Sequence, residues 1–152
     1  MGAIVIDRAS LLYDISGLAY VVADIREGER SAHSLHQVYD ICGKGNIDRV
    51  DSVLVSSFTT VALMLRRIAT SEREEEPGEF RLLFRKEICR EREDAIREAV
   101  KEYLVASVLA DWLSLTLPEA SGIWNDKASE ALSCVRSLSG GVRSTARRLS
   151  PF

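Results

Sequence analysis

Tyr103-Leu104-Val105-Ala106-Ser107-Val108-Leu109-Ala110-Asp111-Trp112-Leu113 is the stretch that settles the fold class, because Ser107 and Asp111 are its only polar members. A helix apolar on nearly every side has to be covered on nearly every side. We therefore read Ala95 to Leu115, opened by Asp94, as the central helix of a bundle. Ser107, Asp111 and Ser114 fall at i, i+4 and i+7, so its few polar groups share one face, which meets water or a neighbouring subunit.

Downstream, Thr116-Leu117-Pro118-Glu119 matches a capping box with proline in the first turn, so one helix ends and another begins there. Ala120, Trp124, Ala128, Ala131, Val135 and Leu138 form one stripe of that last helix, and Gly140-Gly141 stops it. Two helices joined by so short a turn pack antiparallel. Residues 141–152 carry Arg143, Arg147 and Arg148 with no acid and little to bury, so they are expected to form a basic, flexible tail on a domain spanning 1–140.

Upstream, 17 of the 27 residues from Glu72 to Glu98 are charged, which requires solvation. Within this segment Phe80, Leu82, Leu83 and Phe84 suit a strand or the start of a helix. The turn residues Pro77-Gly78 tip the reading toward a small β-hairpin near residues 70–88. Before it, Asn46 is placed to cap a helix whose stripe is Ile47, Val50, Leu54, Phe58, Val61, Leu65 and Ile68. Asp48 and Asp51 stand in its positive first turns and Arg66 and Arg67 in its negative last turn. Val53, Val55, Ala62 and Leu63 widen its apolar arc toward a second partner surface. The first helix runs from a cap at Asp7 to Glu27, ends at Gly28, and buries Leu11, Ile15, Leu18, Val22 and Ile25. Gly17 inside it costs about 1 kcal/mol relative to alanine, which suggests close packing there. Leu35, Val38 and Ile41 mark a short helix between the two, broken at Gly43-Lys44-Gly45.

The fold class expected is thus mainly α: a single-domain bundle of four to five helices with a small β-hairpin insertion. A chain of 152 residues, 46% hydrophobic and 28% charged, can build such a core without disulfides or metal. A net charge of −3 carries no general polycation signal. Three cysteines with no C-x-x-C, and a start without a basic leader or a long apolar run, lead us to expect cytoplasmic synthesis and no membrane span.

Residue chemistry points away from catalysis. His33 and His36, with Asp40, have a spacing that suits one side of a metal site, but no further His or Cys stands near, and we read them as surface residues. They are the only histidines, so a catalytic triad would have to be built on that stretch. Gly43-Lys44-Gly45-Asn46 before a helix has the elements of a phosphate loop without its full pattern, and is read as a positive-φ turn ahead of an Asn cap. Trp112 and Trp124 fall on apolar stripes and are assigned to the core. No catalytic, metal or cofactor-binding residue is assigned, and no cofactor is expected. Arg143, Arg147 and Arg148 are the candidate contacts to a partner or to nucleic acid.

The order of segments, a helix with Asp48 and Asp51 at its start, a charged excursion, then an apolar helix closing on Ala110-Asp111-Trp112-Leu113, resembles the helical head-to-tail connector (adaptor) proteins of tailed bacteriophages and prophages. Residues 103–112, continuing through Ala128 and Ala131 to Leu138, are similar to uncharacterised prophage structural proteins of gut Bacteroides-type bacteria, which commonly end in a basic tail. The resemblance covers about residues 46–148. It implies a homo-oligomeric ring under the portal, lining the path of DNA, without catalysis or cofactor, in the host cytoplasm during assembly and afterwards in the virion. Portal or tail components are the other partners it implies. The first helix and the longer C-terminal pair depart from that pattern. The alternative is a nucleic-acid-binding or regulatory helical module that uses the basic tail.

Overall fold

Alternation over five residues starts the fold: in Ala3–Asp7 (β1), Ile4 and Ile6 are buried while Val5 faces outward. A computed structural model describes residues 2–25, 37–72 and 78–140. After β1 come α1 (Arg8–Ile25), a helical turn over residues 37–39 that tightens into a 3-10 turn at Asp40–Cys42, and α2 (Ile47–Leu65). Two strands follow, β2 (Ala69–Glu72) and β3 (Glu79–Phe84), and then two long helices, α3 (Arg90–Thr116) and α4 (Pro118–Ser139). The protein is mainly α with a small antiparallel sheet, as its periodicities require.

The expected hairpin is present as β2 and β3, and residues 79–84 are strand. It is not an isolated insertion, however. β1 joins it, so the sheet is three-stranded in the order β1-β3-β2, with Ile4 opposite Leu82 and Ile6 opposite Phe80. Ile4, Ile6, Leu82 and Phe84 turn inward toward the helices, and the Phe80 ring lies 4.9 Å from that of Phe58 on α2. A two-stranded hairpin is marginal alone, and a third strand with an apolar face makes it stable. His33, His36, Gly28, Pro77 and Gly141, on which several expectations rested, lie outside the described residues.

Asp7 ends β1 and caps α1 at once, its Oδ2 accepting from the Ser10 N–H at 2.9 Å. The contact stripe of α1 differs from the one expected. Leu11, Ile15, Ala19 and Ala23 are fully buried, whereas Leu18 and Val22 are only partly so. Alanines take the inner positions because the helix lies close against its neighbours there.

On α2 the middle of the stripe is as read, with Val50, Leu54, Phe58, Val61 and Leu65 buried, while Ile47 is only partly buried and Ile68 lies beyond the helix. Its start is held differently. The Asn46 Nδ2 donates to the Asp40 carbonyl at 2.8 Å and makes no side-chain cap. The helix stops at Leu65, so Arg66 and Arg67 follow it in a turn closed by Ile68 N–H on the Leu65 carbonyl. Arg8 and Asp51 join α1 to α2 through two hydrogen bonds of 2.6 Å, and hydrogen bonding to Asp51 raises the Arg8 pKa above its ordinary value against the opposing effect of burial.

The central helix is longer than the apolar run that revealed it. It begins at Arg90, where intrahelical pairs of Arg97 with Asp94 and Glu93 support a charged first third. Ile96, Val100, Leu104, Leu109 and Leu113 are sealed in the core. Trp112 is 7% exposed and its indole N–H donates to the Val38 carbonyl, so the core assignment holds for it. The polar face of α3 is satisfied within the chain. Asp111 takes a two-point contact from Arg49 on α2 at 2.9 and 3.1 Å, and Ser107 and Ser114 donate to the carbonyls of Tyr103 and Asp111. The capping box at 116–119 does not form: the Thr116 hydroxyl donates back to the Trp112 carbonyl, and Leu117, with Pro118 behind it, makes the junction.

Candidate functional site

Gly17 stands on the side of α1 turned away from the core stripe, and a Cβ built there would meet nothing within 4 Å. Among the described residues, the close packing expected of it does not occur. Tyr13 and Val21, one turn before and one turn after, are 81% and 50% exposed. Together they form one wall of an open groove of about 1240 Å³ that runs between α1 and α4. Its floor is α3, where the nearly buried Val105 and Ala106 line it, and Ala131 lines the side of α4. Trp124, assigned to the core from its stripe, is only partly buried and belongs to this groove, with the Lys127 Nζ 4.4 Å over its ring.

The walls carry charges of both signs. Asp14, Glu98, Glu102 and Glu130 stand against Lys101 and Lys127. Cys134, an exposed thiol, lines the groove as well. An apolar floor with a charged rim is a composition that protein-binding surfaces share. Among the described residues, no group of three His, Cys, Asp or Glu is placed to hold a metal ion.

The Gly43-Lys44-Gly45 turn does not use positive φ. Gly43 has φ −63° and ψ 158°, and the Asp40 carboxylate lies against the place a side chain would take. A carboxylate in that position opposes a phosphate. Arg143, Arg147 and Arg148 lie outside the described residues, as does the histidine pair. The wall of Tyr13, Gly17 and Val21 escaped the sequence reading because the core stripe of α1 was followed alone. The signal was there: these three residues recur at steps of four on the opposite flank.

No known protein family, curated protein or solved structure matches this chain. Among the described residues no helix is long and apolar enough to cross a membrane.

Proposed function

We propose that this chain is a non-enzymatic structural subunit of phage or prophage virion assembly, a head-to-tail connector or adaptor working through protein–protein contacts, and that the α1/α4 groove receives a second copy of the chain. The observation that carries the contact is Gly17. An interior glycine gives up about 1 kcal/mol of helix stability, and among the described residues nothing approaches it closely enough to require glycine. Its stripe reads large, glycine, large about its own midpoint. Laid antiparallel on a second copy, such a stripe is self-complementary: the two Gly17 residues cross, and Tyr13 covers Val21 of the partner subunit. α1 brings Asp14 and no base to the groove, and α3 and α4 bring Lys101 and Lys127 alongside Glu98, Glu102 and Glu130, so the contact rests on the Gly17 stripe and not on charge.

The virion part of the reading is supported by the order of segments around Asp48, Asp51 and Trp112. A two-fold contact closes on itself, so a ring needs a further face, and the exposed Val55 and Leu63 on α2 supply apolar positions for it.

Sedimentation equilibrium on the full chain tests the contact. A dimer or larger species is expected at tens of micromolar, and Gly17→Arg is expected to be monomeric with an unchanged circular dichroism spectrum. A wild-type chain that stays monomeric throughout refutes the groove contact. The virion role is tested separately by the flanking genes, where portal and capsid genes are expected and a metabolic operon argues against it.

A further inference from the structure

Five cations of the described surface gather at one corner. Arg66 and Arg67 leave the end of α2, and Arg85 and Lys86 leave the end of β3, joined to them by the Arg85 N–H on the Ile68 carbonyl at 2.8 Å. Arg136, in the last turn of α4, shares with Arg67 a cleft of about 270 Å³ that also includes Ile68, Ser139 and Gly140. All five side chains are exposed, and none makes an ion pair among the described residues. Elsewhere Arg8, Arg49 and Arg97 are paired with carboxylates, and the nearby Arg92 is committed to the Leu138 carbonyl. Glu72, Glu87 and Glu91 are the acids closest in sequence. Five cations against three acids give an excess of positive charge on a chain whose net charge is −3.

Helix ends account for part of this, since the negative ends of α2 and α4 favour Arg66, Arg67 and Arg136. Arg85 and Lys86 follow a strand and have no such reason to be basic. We propose that this corner binds the phosphate backbone of double-stranded DNA without reading its sequence. Four of the five cations are arginines, whose planar forks match phosphate oxygens. The chain leaves the corner at Gly140, and the next twelve residues bring Arg143, Arg147 and Arg148 with no acid. Among the described residues the exposed aromatics Tyr13 and Tyr20 belong to α1, so the described corner offers no platform for stacking single-stranded bases. Leu63 is the one large exposed apolar side chain beside it on α2, too little for a membrane-surface face.

The test is fluorescence anisotropy of a labelled 20-base-pair duplex with the full chain across a salt series. Five phosphate contacts give a log–log slope near about −4.5, or roughly a 500-fold loss of affinity from 50 to 200 mM salt. The variant Arg66→Ser/Arg67→Ser/Arg85→Ser/Lys86→Ser is expected to keep its circular dichroism spectrum while the slope falls by about 3.6. Deleting 141–152 separately measures what the following arginines add. No binding at 50 mM salt, wild-type binding by the quadruple variant, or tighter binding to phosphatidylserine vesicles than to the duplex overturns the proposal.

Discussion

Replacing Gly17 with alanine separates what the isolated chain needs from what an assembly needs. In the middle of α1 the added methyl lies in open space, with no atom within 4 Å to push against. The folded chain therefore takes the helix-propensity gain of about 1 kcal/mol without a steric penalty. For a chain of 152 residues that corresponds to a rise in Tm of about 2–4 °C. The gain should appear in thermal unfolding followed by circular dichroism at sub-micromolar concentration, where the chain is monomeric. As concentration rises, wild type should gain stability by self-association and Gly17→Ala should gain less, because each methyl stands where the partner helix crosses. The two Tm curves should therefore converge. A lower Tm for Gly17→Ala at low concentration would show that another part of the chain closes on this site, and the reasoning would fail. A constant difference at every concentration would leave the helix argument standing and remove the crossing.

Thiol labelling should distinguish the two exposed cysteines: Cys134 in the groove should lose reactivity toward maleimide as concentration rises, while Cys89 should not. Ile4→Ala should cost about 2–5 kcal/mol in denaturant unfolding because Ile4 is fully buried against β3, whereas Val5→Thr on the outer face should stay within about 0.5 kcal/mol. Equal effects would mean β1 pairs in a different register. Trp112→Phe should cost about 1–3 kcal/mol, since the Val38 carbonyl loses its buried donor, and a neutral result would refute the structural weight given to that bond. Leu109→Ala, at the centre of α3, should cost about 2–5 kcal/mol, checked by the same unfolding measurement.

Helical periodicity was legible wherever one face is buried by near neighbours. The α2 stripe from Val50 to Leu65, the buried run of α3 and the α3–α4 turn at Pro118 all follow from spacing and from residue types at helix ends. Capping details were less legible. Asn46 and Thr116 have the right chemistry for caps, yet each finds a competing carbonyl, on Asp40 and on Trp112, that is as good a partner. On α1 the choice between Leu18 and Ala19 as an inner residue depends on how near the next helix lies, which no pattern within α1 can express.

Local order thus belonged to the amino-acid sequence itself: where helices run, that residues 79–84 form a strand, and that Trp112 goes inside. Those outcomes rest on interactions a few residues apart, repeated at 3.6 or 2.0 per period. Tertiary structure alone decided that Ala3–Asp7 becomes an edge strand on residues 79–83, that Arg49 finds Asp111, that α1 and α4 stand apart over α3, and that Arg67 and Arg136 meet at one corner. Each of these brings together groups some sixty or more residues apart, and such pairings are set by how the whole set of apolar faces can be closed at once.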